Sequence, residues 1–488
     1  MSSGGSGRVG SAEVGASVGA GASADGDASR DADALAEAGG LPDAGGRFDR
    51  RLIAPMMLGS ILNPINSSML AVALIPIGAA FGAGPADTAW LVTGLYLATA
   101  VGQPVMGRLV DRYGPRPLYL IGTALVGVAG LLGALAPSLG VLIASRVLLG
   151  FGTSAAYPAS MSLIRSEADR TGMASPTGVL SALSIANQVI AVIGPTLGGL
   201  LIGLGGWHLI FTVNVPLSLA CVVLGFVWLP RARASAGEGR LDVAGILLFA
   251  AMLVSFMFFL MKPSWSTVVL VGVAVAFGVA FTWRELRAAD PFIDLRVLGG
   301  NGPLLATYGR QICTFVVSYS FLYGFTQWLE EGRSLSAPTA GLVLLPMSLA
   351  AVTITAITGR SAAVRGKLVA GSIILLVACG ALQIAGAGSA LWVLVGLGVL
   401  AGFPQGLNGL ANQNALYHQA DPARMGSSAG LLRTCTYLGA LTAAAANASF
   451  FSDGATTSGL HELSWFLLGV GVLLFVLTVL DRSLTRIK

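Results

Sequence analysis

The chain has 488 residues, of which 55% are hydrophobic and 10% are charged, and its formal net charge at pH 7 is +5. A soluble domain usually carries about 25% charged residues, so this composition excludes an ordinary water-soluble protein and predicts a surface that faces lipid. The sequence contains no Walker loop, no metal-ligand cluster and no nucleophile–base spacing, which argues against a primary pump and against an enzyme.

The first 47 residues are rich in Gly, Ala, Ser and Asp and contain no apolar stretch. They therefore match neither a signal peptide nor a spanning segment. We expect residues 1–47 to form a disordered cytoplasmic tail, of which residues 1–45 are dispensable for folding.

Apolar runs recur along the rest of the chain, and each is long enough to cross a bilayer, which needs about 20 residues. The runs are too long and continuous for barrel strands and predict helices. We predict fourteen spans, over 52–82, 88–107, 117–136, 139–163, 174–203, 208–230, 242–261, 267–284, 302–328, 338–358, 368–388, 390–417, 426–450 and 463–480.

The placement of positive charge along these runs predicts an orientation. If the N-terminus is cytoplasmic, the loop arginines alternate onto the cytoplasmic side, and only Lys262 and Arg333 fall in outer loops. Because Lys and Arg are enriched in cytoplasmic loops, we expect both termini in the cytoplasm. The Arg-rich composition indicates a multi-pass protein of a bacterial plasma membrane.

Polar side chains interrupt the first span of each half and spans five and twelve, a distribution that favours a central substrate cavity. Any single amide could instead bond only a neighbouring helix. The candidate cavity residues are Asn63, Asn66, Gln103, Asn187, Gln188, Arg310, Gln405, Asn408, Asn412 and Arg433. Aromatic walls could come from Trp90, Tyr96, Tyr319, Tyr323 and Trp328.

A charged turn stands between the second and third predicted spans, where residues 107–117 read GRLVDRYGPRP. Its arginines fit a simple cytoplasmic anchor, but an anchor explains neither Asp111 nor the glycines at both ends. A tight turn needs glycine where the backbone approaches a neighbour or takes a positive φ. Asp111 can pair with a nearby arginine or with the positive end of a facing helix.

Two further features lie inside predicted spans. Arg146 is expensive at membrane depth, so we expect it to face the bundle interior with a partner, which could be helix carbonyls. The stretch VIGPTLGGLLIG (192–203) places glycines one turn apart, which permits close helix approach, and its proline can bend the helix.

These features together resemble the major facilitator superfamily. Residues 107–116 resemble its signature loop, 142–164 its fourth-span motif and 192–203 its antiporter motif. Residues 206–219 and 291–298 are similar to the fourteen-span branch of drug–proton antiporters.

The resemblance implies an all-α integral membrane protein with the major facilitator fold. The expected domains are a six-helix half over 48–230, two inserted helices with cytoplasmic linkers over 231–301, and a second half over 302–488. A repeat supports the two halves: TGRSAAVRGK (358–367) echoes MGRLVDRYGP (106–115) but lacks the acid.

The resemblance also implies roles for single residues. The signature loop would latch the cytoplasmic side shut in the outward-open state, through Gly107, Asp111, Arg112, Gly114 and Arg116. The antiporter motif would form a pliable contact between the halves, through Gly194, Pro195, Gly198 and Gly199. Arg146 would take part in proton transfer or gating.

The first span departs from this branch, which commonly places an acid where Asn66 stands. An amide does not titrate, and no Asp or Glu falls in the middle of a predicted span. Uncharged or anionic substrates become more plausible for this reason. Proton coupling would then depend on Arg146 together with an outer interfacial acid, either Asp87 or the pair Glu330 and Glu331.

The leading functional expectation is a monomeric multidrug-type antiporter that exports small, largely apolar compounds and contributes to antibiotic resistance. Its expected partners are the small-molecule substrate, protons and the lipid bilayer, with no cofactor, metal or nucleic acid. A transporter of one dedicated metabolite and a facilitator without proton coupling are alternatives. A non-transporting membrane sensor is a remote alternative.

Overall fold

The computed structural model describes residues 48–173, 176–231, 241–261, 264–335, 337–361, 363–452 and 454–485, and it is helical throughout. The predicted tail over 1–47 and most of the Arg-rich linker lie outside these residues. All four cysteines are free and buried inside helices, as expected of packing residues.

The first half is built from nine helical segments. They are α1 (Ile53–Ala71), α2 (Leu74–Phe81), α3 (Pro85–Tyr113), α4 (Pro115–Ala134), α5 (Leu139–Thr153), α6 (Ala156–Thr171), α7 (Thr177–Gly205), α8 (His208–Thr212) and α9 (Asn214–Trp228). The chain bends by 62° between α1 and α2, while α5–α6 and α8–α9 each run on as one apolar unit.

Two long helices and a short one separate the halves: α10 (Val243–Met261), α11 (Val269–Glu285) and α12 (Leu295–Gly300). The second half follows with α13 (Gly302–Tyr319), α14 (Ala337–Thr358), α15 (Val364–Ala381), α16 (Leu391–Gln419), α17 (Met425–Phe450) and α18 (Thr457–Leu480). α13 continues into π-helical turns at Ser320–Phe325 and Trp328–Gly332.

Ten helices in the described residues are long and apolar enough to cross a membrane, or up to eleven if the bent pair counts as one span. The predicted number of fourteen is therefore not confirmed. Four predicted spans fall short: α1–α2 is the bent pair, α11 has only 17 residues, π-helical turns interrupt the run that begins with α13, and α17 is long enough but too weakly apolar.

Helix ends follow local sequence. Ser138, Asn301 and Thr456 accept backbone N–H bonds at the starts of α5, α13 and α18, as expected for N-cap residues. Gly114 lies between α3 and α4 with φ of 87°, a conformation that L side chains rarely adopt, so the sharp turn requires glycine there.

The two ends of the bundle differ in how the halves pack. At the end that carries Asp111, hereafter the Asp111 end, one apolar cluster contains Met56 and Met161 of the first half with Leu416 and Met425 of the second. The opposite end has separate clusters, one around Trp207 and Phe211 in the first half and one around Trp328 and Phe451 in the second. The halves are thus joined at the Asp111 end.

Candidate transport site

Asp111 connects the two halves at the Asp111 end. Its Oδ1 accepts the backbone N–H of Gly426 at 2.7 Å, and its Oδ2 accepts that of Ser427 at 2.8 Å and also the Ser427 hydroxyl. Both amides belong to the first turn of α17, where the N–H groups lack intrahelical partners and the helix dipole is positive. The carboxylate of one half therefore caps a helix of the other.

Gly107 lies one turn before Asp111 and permits this approach. A Cβ at Gly107 would lie 2.8 Å from the carbonyl carbon of Gly426 and 2.9 Å from the Cα of Ser427. Gly430 lies one turn further along α17, and a Cβ at Gly430 would lie 2.9 Å from the Cα of Pro104 on α3. Small residues let helix backbones touch, so α3 and α17 are in backbone contact over two turns.

The arginines of the loop do not share this role equally. The Arg116 guanidinium donates to the Phe226 carbonyl at 2.7 Å and lies 5.3 Å from its ring, so it ties α4 to α9 within the first half. The expectation that Arg116 belongs to the contact between the halves is wrong for this state. Arg112 lies at the end of α3, 5.5 Å from the Tyr113 ring.

The second copy of the repeat, residues 358–367, also places a glycine at a contact between the halves, but this contact contains no acid. Gly359, at the end of α14, corresponds to Gly107, and a Cβ there would lie 2.6 Å from the Cβ of Ser181 on α7. The Ser181 hydroxyl donates to the Thr355 carbonyl at 3.4 Å. Ala363 stands where the repeat would place the acid, so only the α3–α17 contact carries a carboxylate.

Side chains from both halves meet above this contact around Tyr96, Tyr319 and Tyr323, each at least partly exposed, and the region beside them is hereafter the cleft. The Tyr437 hydroxyl on α17 donates to Asn63 Oδ1 on α1 at 2.9 Å, and the Tyr96 ring on α3 lies 5.6 Å from the Tyr437 ring. Tyr96 also lies beside Tyr323, whose ring stacks on Tyr319 with 5.6 Å between the centroids. Tyr323 remains 46% exposed despite these contacts.

Amides extend the polar lining of the cleft. Asn63 donates to Thr153 at 3.0 Å, and Gln188 on α7 donates across the halves to Thr355 on α14 at 3.2 Å. The predicted cavity residues that remain partly exposed are Asn63, Asn187, Gln188, Gln405 and Arg433. Tyr437 is a lining residue that the sequence did not indicate.

The structure places Asn66 away from the cleft. Asn66 is fully buried, and its side-chain amide exchanges two hydrogen bonds with that of Asn214 on α9, at 2.6 and 2.9 Å. This reciprocal pair leaves no face for a substrate, so its assignment as a cavity residue is wrong. Asn66 instead ties α1 to α9.

Four more predicted cavity residues are buried between helices. Arg310 is fully buried, pairs with Asp481 at 2.9 Å and donates to Thr307 at 2.6 Å. Asn412 donates to Gln311 Oε1 at 3.2 Å. Asn408 is fully buried on α16 beside Gly371, and Gln103 is buried at the contact with Gly430. Arg310, Asn412, Asn408 and Gln103 therefore do not line the cleft.

Two aromatic expectations also change. Trp328 is fully buried in the second-half core and donates from its Nε1 to Thr457 at 3.2 Å. Trp90 lies 5.7 Å from the Phe258 ring of α10 and faces the inserted helices. Of the predicted walls, Tyr96, Tyr319 and Tyr323 do meet in the cleft.

Arg146 is fully buried, as a functional arginine at membrane depth should be, but its partners are neutral. Its guanidinium donates to the carbonyls of Leu91 at 3.4 Å and Asn66 at 3.2 Å, and it lies 5.8 Å from the Phe211 ring. The structure therefore supports the carbonyl-bonding alternative for the described state.

The three outer acids lie apart from Arg146. Asp87, Glu330 and Glu331 are all exposed, and Glu331 accepts the Ala455 backbone N–H at 3.0 Å. None of the ion pairs in the described residues joins them to an arginine. Direct pairing of Arg146 with an outer acid is therefore not a feature of this state.

The antiporter motif packs inside the first half. A Cβ at Gly194 would lie 2.6 Å from the Ser68 Cβ, and one at Gly198 would lie 2.9 Å from the Met69 carbonyl oxygen, both on α1. Gly199 faces open space, and Pro195 lies within the continuous helix α7. The expectation of a contact between the halves is wrong here; the motif instead holds α7 against α1.

A buried acid pair joins α10 and α11 and was missed by the sequence analysis. Asp242 Oδ1 accepts two bonds from Arg284, at 2.7 and 2.9 Å, and Glu285 Oε2 accepts the Ile293 N–H at 3.1 Å. Asp242 Oδ2 and Glu285 Oε1 have no partner in the described residues. Both approach Gly245, where a Cβ would lie 2.7 Å from Asp242 Oδ2.

Comparison with known proteins identifies the family. The model of the Major Facilitator Superfamily matches residues 56–444. The chain belongs to the major facilitator superfamily. It is therefore a multi-pass transporter rather than an enzyme, as the sequence predicted.

Relatives of this superfamily member include exporters. It is 34% identical over 400 residues to the uncharacterized MFS-type transporter YwoD of Bacillus subtilis, covering 78% of this chain and 86% of that one. It is 31% identical over 303 residues to the tetracenomycin C resistance and export protein of Streptomyces glaucescens, covering 59% and 54%. A multidrug resistance protein B homolog of Mycobacterium tuberculosis is 31% identical, covering 66% and 61%.

Solved structures confirm the fold at lower identity. The human organic anion transporter MFSD10 superposes with a TM-score of 0.64 at 17% identity, covering 89% of this chain and 100% of that one. The proton:xylose symporter XylE superposes with a TM-score of 0.62 at 14% identity, covering 88% and 94%.

Proposed function

We propose that this superfamily member exports small, largely apolar compounds in exchange for protons by alternating access. The observation that carries the proposal is the contrast between the two ends of the bundle. Asp111 and a shared core join the halves at one end, whereas separate cores and a partly exposed cleft lie towards the other. A transporter of this type rocks its halves about a central site, so one closed and one open end is the expected arrangement.

The same proposal assigns the Asp111 end to the cytoplasm, because Lys and Arg favour cytoplasmic loops. The helix ends and turns there carry Arg108, Arg112, Arg165 and Arg424. The described state is then outward-facing. We further propose fourteen passes, cytoplasmic termini, a monomer in a bacterial plasma membrane, and the domain boundaries predicted above.

The names of relatives support export of drug-like compounds, since they include a tetracenomycin C exporter and multidrug resistance proteins. A second candidate is transport of one dedicated metabolite. It is favoured by a riboflavin transporter, RibZ of Clostridioides difficile, which is 25% identical over 82% of this chain. Competition between unrelated compounds distinguishes the two candidate functions. A multidrug site should let unrelated compounds compete for transport, whereas a site dedicated to one metabolite should exclude them.

Coupling to protons is proposed to run through Arg146 and an acid that meets it only during the transport cycle. Asp87 lies one helical turn before Leu91, whose carbonyl binds Arg146, so a small shift of α3 would change their separation. Glu330 and Glu331 are the second candidates. The buried pair of Asp242 and Glu285 is a separate candidate for proton binding that does not involve Arg146, because each acid has an oxygen without a partner in the described residues that a shared proton would satisfy.

Proton movement in proteoliposomes tests this function. Vesicles that contain a pH-sensitive dye receive a panel of aromatic compounds, and wild type should move protons opposite to at least one compound. Asp87→Asn, Glu330→Gln with Glu331→Gln, and Asp242→Asn with Glu285→Gln are compared with Glu462→Gln, an exposed acid on α18. Full proton movement in all three acid variants contradicts the coupling scheme. Compound flux without proton movement identifies a facilitator.

A further inference from the structure

Arg433 is a cation without a carboxylate partner beside the cleft. It lies eight residues into α17, about 12 Å from its start at 1.5 Å per residue, and its side chain is partly exposed. The ion pairs in the described residues involve other arginines. Within those residues, no hydrogen bond links Arg433 to a carboxylate or to a backbone carbonyl.

The other two arginines inside spanning helices are compensated by protein groups. Arg146 binds two backbone carbonyls, and Arg310 binds the Asp481 carboxylate. Both are fully buried. An arginine at membrane depth normally finds such a partner or faces a water-filled cavity, and Arg433 has neither a carboxylate nor a carbonyl partner in the described residues. Its missing counter-charge therefore points to a group that enters the cleft.

The guanidinium is held in one orientation by the opposite half. Arg433 stacks on the Tyr157 ring of α6, with its guanidinium carbon 3.9 Å from the ring centroid. A guanidinium has five N–H donors in a planar fork that matches a carboxylate. Stacking orients the plane of the guanidinium, so the N–H donors at the edge of that plane remain for a ligand.

Tyrosine rings lie near this cation on the cleft side. Tyr437 lies one turn above Arg433 on α17, Tyr96 lies 5.6 Å from Tyr437, and Tyr319 stacks on Tyr323. Tyrosine combines a large apolar face with a polar hydroxyl, so the walls suit a flat aromatic body with polar substituents. No carboxylate in the described part of the chain contacts these rings.

We propose that the cleft binds small aromatic compounds that carry one carboxylate, with the carboxylate on Arg433 and the ring among Tyr96, Tyr319 and Tyr437. This inference rests on the proposed transport function and names its substrate class.

Equilibrium binding to the full-length protein in nanodiscs tests the proposal without any ion gradient. The probes are benzoate, naphthoate and anthracene-carboxylate derivatives, each paired with its neutral carboxamide, and binding is read from thermal stabilisation. Wild type should bind at least one acid about tenfold or more tightly than its carboxamide, as charge-assisted bonds imply. Arg433→Gln should lose that preference while it binds the carboxamide as before, and Arg433→Lys should keep part of it.

Unchanged carboxamide binding shows that Arg433→Gln is folded, and Arg333→Gln, an arginine at the opposite end, is the matched control. A preference for the acid that survives in Arg433→Gln overturns the proposal. So does a wild type that binds no acid, or that binds the carboxamides equally well. Loss of proton coupling leaves this equilibrium result unaffected, so failure of the proposed function and failure of this inference are distinguishable.

Discussion

At Gly107, the backbone of one half meets the backbone of the other. We expect Gly107→Ala to weaken this contact, because its Cβ would overlap the backbone of Gly426, and overpacking typically costs about 1–3 kcal/mol. The matched control is Gly199→Ala, where a Cβ meets open space. The measurement is the transport rate together with labelling of a cysteine at position 423 on the Asp111 end. Equal rates and labelling in both variants contradict the assignment.

Single residues also show what sequence could and could not predict. Asp111 was predictable because a short motif carries its role. Asn63 and Asn66 were both predicted to line the cavity, yet three positions along a helix leave about 60° between their directions. That angle sends Asn63 to Tyr437 across the cleft and Asn66 to Asn214 within one half. The partner of Arg310 lies 171 residues away, so no local pattern indicates it.

At the scale of the elements, the short linker helix α12 is tied to the start of α17, the helix that takes part in the contact between the halves. Asp294 caps α12 through the Val297 N–H and pairs at 3.0 Å with Arg424, which directly precedes α17. Partial burial opposes ionisation, but these hydrogen bonds and the guanidinium hold the pKa of Asp294 below its usual range. The linker is thereby tied to the helix that Asp111 caps.

The lowered pKa of Asp294 predicts a pH dependence of the linker contact. Ionised Asp294 stabilises the folded state above the unfolded pKa of about 3.9, and the contribution is lost as pH falls through the lower folded value. We expect Asp294→Asn to cost at most about 1 kcal/mol at neutral pH, because both side chains are partly exposed. Melting temperatures of variant and wild type should converge at strongly acidic pH. A difference that grows with acidity contradicts this sign.

At the scale of the whole molecule, the superfamily and the helical fold were predictable because composition and several motifs agree. The number of spans was harder to predict from the sequence, because π-helical turns and the short α11 depart from uniform apolar helices. We expect a cysteine at 235 to label from the cytoplasm and one at 456 from the exterior, in a background without native cysteines. Labelling of positions 235 and 456 from the same side contradicts the topology.

Deletion of residues 1–45 should leave membrane expression unchanged.

The central claim is that the Asp111 contact with α17 holds one end closed while the other is open. Spin labels at Tyr113 and Ala423 report the Asp111 end, and labels at Leu204 and Leu342 report the opposite end; all four positions are exposed. Losing charge-assisted bonds worth about 1.5–3 kcal/mol should shift the population tenfold or more in Asp111→Asn. The account predicts longer distances at the first pair and shorter ones at the second, with Asp169→Asn as the unchanged control. Distance distributions in Asp111→Asn that match wild type at both ends would contradict it.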